Sequence, residues 1–536
     1  MSAHDRPTLD AAALHALLLA ADGPELALLD VRETRHYVAR HPNLARNAPL
    51  SGLEPQVATL VPRRSTAIVL YDDRAAPDGP AHEAAAVLER LGYIDVRLLA
   101  GGIEVWAAQG LPVIDGYGTL VKAFGDRARL HFGTPSVGVE ALRERLRDGR
   151  PTTLVDARPR AEFEFLSLPG ARNHPGTELA LRRFEAPADA DHLWAINCFS
   201  RTRGIVGATT LRLLDRARDA VFVEDGVMDW GLQGGPVVQN AAPADLLPAE
   251  SPERLRELAD GLIARHRLSL ADAAQQLARW QADPRRSLYL FDVRPQPDPA
   301  FAGTAVQQVP GGQLLMHFEN LVATRGARIV LFDDPAHRLR AAITSFWLTQ
   351  LGQVEVHVFD GPLPSQGLPP APSTAIADAP PAIEAEALEG ATVVDVGPSL
   401  EYERGHLPGA LYLLPASLAP LSPWIVPGRT LVFTSPDGIA ASRVARDAQR
   451  RWPGAGVRFG WIAGGTQAWK ASGRALSTTL EAARLLTPFD DDWGSVMRVF
   501  GPRRDPAWAD YLAWERALSA RVVADPTVRF RFFAPD

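Results

Sequence analysis

Leu154-Val155-Asp156-Ala157-Arg158 is an apolar run that closes on an aspartate and an arginine, and the chain repeats it. Its counterparts are Leu28-Leu29-Asp30-Val31-Arg32, Leu290-Phe291-Asp292-Val293-Arg294 and Val393-Val394-Asp395-Val396-Gly397. Roughly 40 residues after each aspartate comes a second apolar run, at 67–71, 193–197, 329–332 and 430–433. Roughly 30 residues further lies a small-residue turn: Ala100-Gly101-Gly102, Glu224-Asp225-Gly226, Phe359-Asp360-Gly361 and Ala463-Gly464-Gly465. Three of the turns lead to a tryptophan, Trp106, Trp230 and Trp469. One unit is therefore used four times.

Within each unit, short apolar strands alternate with helix-period segments, of which 83–91 and 205–214 are the clearest. Helix-length crossovers between short buried strands imply parallel pairing with helices on both faces. The expected fold class is α/β: four tandem units, each a mainly parallel sheet flanked by helices, plus a C-terminal extension. The expected units are 8–115, 135–236, 265–365 and 381–475. Between them, 116–135 is polar and mixed, 234–252 is rich in Pro, Ala and Gly, and the prolines of 363–381 suggest a semi-rigid linker. The extension, 476–536, carries Trp493, Trp508 and Trp514 and the run Arg529-Phe530-Arg531-Phe532-Phe533. Such aromatic content predicts packing against the units rather than a solvated tail.

The composition is globular, with 46% hydrophobic and 22% charged residues. A net charge of −7 and a pI near 6.0 point to neither a nucleic-acid nor a membrane-surface partner. One cysteine excludes an internal disulfide and any multi-cysteine zinc or iron–sulfur site. The first residues lack a basic start followed by an apolar core, and no apolar stretch is long enough to span a bilayer. The expected setting is the cytoplasm, where a free thiol persists.

That cysteine lies in Trp194-Ala195-Ile196-Asn197-Cys198-Phe199-Ser200-Arg201-Thr202-Arg203-Gly204, between an apolar strand and a helix-like segment. A thiol there faces the positive end of the helix dipole and a set of free backbone N–H groups, and guanidinium charge lowers its pKa further. The expectation is a reactive thiolate, against the alternative of a small buried hydrophobe.

The ordered series Asp-Val-Arg, Gly-His-Leu-Pro-Gly-Ala (complete at 405–410), strand, cysteine loop and Gly-Gly-x-x-x-Trp resembles the rhodanese family of sulfurtransferases over about residues 8–475. The Pro-Gly-Ala step recurs at Pro169-Gly170-Ala171. The second unit, with Asn-Cys-x-x-Arg-Thr-Arg, is similar to bacterial thiosulfate sulfurtransferases with four such repeats. The resemblance implies that the Cys198 thiolate takes the outer sulfur of thiosulfate, becomes a persulfide and passes the sulfur to cyanide or a thiol, in ping-pong fashion. The N–H groups of Phe199, Ser200, Arg201, Thr202, Arg203 and Gly204 would cradle the anion. Arg203 matches the family's arginine at the end of the loop. Arg201 stands where many relatives have a small residue and would add charge at the mouth. Arg158 either reaches the same pocket or joins Asp156 in structural hydrogen bonds behind the loop. Trp230 is assigned to packing, because its counterparts recur in units without a thiol. The chemistry needs no metal and no organic cofactor.

Phosphatases with a thiolate loop need Cys, five residues, then Arg; here the sixth residue after Cys198 is Gly204, so the loop is one residue short. In the other units the position of Cys198 is assigned to Asp72, Asp333 and Thr434, none able to accept a sulfane sulfur but each able to cap a helix. Asp334-Pro335 reads as an N-cap with Pro at the first helical position. These units are expected to be silent, with unit one or three walling the pocket. His131, His174 and His192 are expected to be surface or loop residues. Two alternatives stay open: a low-molecular-weight persulfide as donor or acceptor in thiol catabolism, and a partner-binding scaffold with Cys198 as redox sensor. The expected partners are a small anionic sulfur donor and a thiol or cyanide acceptor, with self-association into a homo-oligomer undecided.

Overall fold

The computed structural model describes the chain except residues 1–5, 21–22, 186–190, 243–245, 272–273, 365, 374–375, 377, 385–386 and 535–536. Parts of the expected linkers 234–252 and 363–381 thus lie outside the described residues. Four sheets follow one another along the chain. In the second, the order is Ser136–Val137, Ala220–Val223, Leu193–Asn197, Thr152–Asp156 and Arg172–Asn173, all parallel. The third and fourth sheets repeat this order. The first does too, but gains a sixth strand, Thr324–Arg325, which pairs antiparallel with Leu26–Asp30. The central strands are largely apolar because helices cover both faces, as at Leu28, Val69, Ala195 and Ile329.

The recurring signatures of the repeat have structural work to do. Asp156 accepts from the Arg158 backbone N–H and from its guanidinium (2.9 and 3.0 Å), and Arg158 also donates to the Leu166 carbonyl (2.5 Å). Asp30 and Arg32 make the same pair, with the Arg40 carbonyl as third partner. Each tryptophan after the turn donates its indole N–H to a carbonyl six residues on: Trp106 to Pro112, Trp230 to Pro236 and Trp469 to Ala475.

The segment 116–135 is no loose linker. It holds a helix, Thr119–Phe132, with seven buried residues including Leu120, Phe124 and Ala128. Its mixed composition reflects a helix packed on several sides, with no single apolar stripe to mark it. The extension folds back as expected: the helix Arg504–Val523 buries Trp508, Leu512, Leu518 and Val522. Beyond it, Phe530 and Phe532 pack on Phe124.

Units meet through specific contacts. Glu25 of unit one accepts from the Ser287 N–H and hydroxyl of unit three (2.6 and 2.8 Å). Glu178 of unit two takes a forked ion pair from Arg340 of unit three. Arg446 of unit four forks onto Glu54 of unit one, both bonds 2.7 Å.

Candidate active site

Cys198 follows the last residue of Leu193–Asn197, and the helix Thr202–Leu213 begins four residues later. The sulfur-bearing residue is 3% exposed. The loop is fixed from behind: the Val227 and Met228 N–H groups donate to the Cys198 and Phe199 carbonyls, both 3.0 Å. That approach requires glycine at 226, where φ is +53° and a Cβ would lie 2.2 Å from the Cys198 carbonyl oxygen. With these carbonyls held, the Gly204 N–H faces the thiol. Ser200, Thr202 and Gly204 are buried in the same turn. Phe199 is an anchor, its ring edge-on to Trp508 of the C-terminal helix at 5.6 Å.

The arginines are committed. Arg203 forks onto Glu162, both bonds 2.7 Å. Arg201 bridges Asp225 at the turn (2.9 Å) and Asp126 on the Thr119–Phe132 helix (2.7 Å). Arg158 has no exposed side-chain area and is spent on Asp156 and the Leu166 carbonyl. None of Glu162, Asp126 and Asp225 was signalled by the sequence, since each is remote in the chain from the arginine it meets or belongs to the turn. His174 is buried rather than at the surface; its Nε2 accepts from the Leu247 N–H, and burial holds its pKa down at about 4.

The thiol departs from the expected direction. Burial pushes the Cys198 pKa up, outweighing the Arg203 charge and the Gly204 N–H, while Asp156 and Glu515 add to the rise. A thiol with almost no water around it loses more from desolvation than one paired guanidinium returns. In the same way burial works to raise Glu162, but Arg203 prevails and holds that carboxyl low.

Unit three and the C-terminal helix wall the site. His317 of unit three faces Arg203 and Glu162, and Ser200 interacts with both Tyr511 and Glu515. The strand registers correct one assignment. Asp156 pairs with Asn197, and Asp395 pairs with Thr434. The counterpart of Cys198 in unit four is therefore Ser435, whose carbonyl accepts from Thr466 N–H as that of Cys198 does from Val227. Asp72 caps its helix through the Ala81 N–H (2.9 Å), Asp333 accepts from Ala341 N–H (3.2 Å), and the Ser435 hydroxyl from Ala441 N–H (3.2 Å). Asp334 is not an N-cap: it closes a turn onto Ala336 N–H, and the helix starts at Leu339.

A repeated parallel α/β unit, with a single thiol set in a loop against a helix N-terminus, defines a class of thiol-loop α/β proteins. The rhodanese-like domain family model matches residues 11–109 and 382–472. A crystal structure of thiosulfate sulfurtransferase from Pseudomonas aeruginosa is similar at 30% identity and a TM-score of 0.87, covering 99% of this chain and 100% of that one. An HTH-type transcriptional regulator, Rv0324, of Mycobacterium tuberculosis is 36% identical over 99 residues; the match spans 18% of this chain and 42% of that protein. The chain belongs to the rhodanese-like family, and the likeness supports a sulfurtransferase. Among the described residues no helix is long and apolar enough to cross a membrane.

Proposed function

We propose that the chain is a thiosulfate sulfurtransferase working through a Cys198 persulfide. The observation that carries this reading is the slot itself: one thiol under the Gly204 N–H and the Arg203 charge, where the other units hold Asp72, Asp333 and Ser435. In the first half-reaction the ionised Cys198 sulfur attacks the outer sulfur of thiosulfate. A new S–S bond forms, the S–S bond of thiosulfate breaks, and sulfite leaves with the electron pair. In the second, cyanide or a thiolate attacks the outer persulfide sulfur, and the Cys198 thiolate is returned. The loop N–H groups and Arg203 stabilise negative charge on sulfur in both states. Units two and three are taken as rhodanese-like on their strand order, with units one, three and four silent in transfer, and the protein as cytoplasmic.

A second reading uses a low-molecular-weight persulfide as donor. It is favoured by the engagement of both arginines with carboxylates, which leaves less free positive charge for a dianion. The test is turnover: thiosulfate and cyanide should yield sulfite and thiocyanate with ping-pong kinetics, lost in Cys198→Ser. Turnover with glutathione persulfide alone would shift the reading to the second donor, and none with either to a binding or sensing role.

A further inference from the structure

The helix Thr119–Phe132, which joins units one and two, lies along the Cys198 loop. Gly125 approaches so closely that a Cβ there would meet the Thr202 methyl at 2.7 Å. Asp126 holds Arg201. One turn earlier on the same face stands Lys122. Its ammonium donates to the Tyr117 carbonyl and lies 5.5 Å from the Trp514 ring centroid. An ammonium has three donors, and this contact uses one.

The charges felt by Lys122 come from three elements: Glu515 on the C-terminal helix, Glu319 in unit three and Arg203 on the loop helix. Neither acid is a direct ion-pair partner. Glu319 accepts from the Leu120 and Val121 N–H groups, both 3.4 Å, and so caps the Thr119–Phe132 helix. Glu515 is 5% exposed, interacts with Ser200, and leaves Oε2 without a hydrogen bond. Burial pushes both carboxyls up, towards the neutral form, and burial also disfavours charge on Lys122. Lys122 thus sits in a dry region beside a second cation, Arg203, with nearby carboxyls, Glu319 and Glu515, that neutralise it poorly. Arg203 has its fork filled by Glu162, whereas Lys122 keeps donors to give.

Resting on the sulfurtransferase reading, we propose that Lys122 receives the anionic end of the sulfur donor, from a helix outside the unit that carries the thiol. Arg203 then acts on the sulfur and Arg201 holds the loop, while Lys122 sets the preference for donors that carry a sulfonate-like charge.

The full-length Lys122→Met and Lys122→Arg variants test this with two readouts. For thiosulfate, kcat/KM should fall about tenfold in Lys122→Met, that for cyanide should change less than about twofold, and Lys122→Arg should restore most of the loss. Independently of turnover, alkylation of Cys198 by anionic iodoacetate should slow about tenfold relative to neutral iodoacetamide. Should Lys122→Met not fold, Lys122→Gln replaces it. An unchanged iodoacetate-to-iodoacetamide ratio, or equal losses for both reagents, overturns the assignment. If the wild type has no thiosulfate turnover the enzymatic reading falls, and the alkylation ratio still decides whether Lys122 recruits anions.

Discussion

Cys198 is set between two opposing effects of similar kind. Burial resists charge on its sulfur, and Arg203 with the Gly204 N–H favours it. Arg203 is in turn drawn towards Glu162. Removing the guanidinium in Arg203→Ala takes away a lowering influence and leaves the Glu162 charge uncompensated, so the thiol pKa should rise. Glu162→Gln frees Arg203 and should lower it. The pH dependence of Cys198 alkylation by iodoacetamide measures both: each unit of rise slows the reaction near neutral pH about tenfold. Identical profiles in the three proteins would remove Arg203 from the charge balance.

The sequence showed the strands, the turns and the thiol loop, because these rest on short apolar runs and on local spacing. What it hid was non-local. Thr434 was placed one residue short of the thiol slot because strand ends are invisible without partners; the pairing of Asp395 with Thr434 makes Ser435 the counterpart. The Thr119–Phe132 helix was hidden because contacts on several sides erase the polar face that marks a surface helix. The carboxylates holding Arg201 and Arg203 come from three separate segments that only folding brings together.

Asp156 and Asp30 each meet an arginine, but unit four has Gly397 at that place, and among the described residues Asp395 accepts only from its N–H at 2.9 Å. Burial pushes the Asp395 pKa up to about 7. In the unfolded chain an aspartate titrates near 4. Between about pH 4 and 7 the unfolded form therefore binds fewer protons than the folded one, and stability falls as pH rises through this window. Asp395→Asn removes that slope and should stabilise the protein at pH 8 by on the order of 2–4 kcal/mol. Denaturant unfolding at pH 5 and pH 8 checks it; equal losses for wild type and variant would contradict it.

At the scale of the whole molecule, the units are joined by shared strands and buried polar contacts rather than strung as beads. Thr324–Arg325 adds unit three to the sheet of unit one, and Glu25 binds Ser287 across the same junction while also pairing with Arg63 at 2.6 Å. Glu25→Ala leaves the buried Ser287 N–H without its acceptor and takes the carboxylate from the half-buried Arg63, a loss of about 2–4 kcal/mol. Units one and three should therefore lose stability together, seen by calorimetry as one cooperative transition moving to lower temperature. Separation of a single low-temperature transition would show that they fold independently. The C-terminal helix belongs to this assembly too: Trp508 rests on Phe199, and Arg516 joins Arg201 on Asp225, so the tail completes the site.

Sulfur transfer by this protein requires that Cys198 carry sulfur. Intact-protein mass spectrometry after incubation with thiosulfate tests it most directly. The wild-type protein should gain the mass of one sulfur atom, a gain reversed by cyanide and absent from Cys198→Ser. An unmodified wild-type mass, or an equal gain in Cys198→Ser, would contradict it.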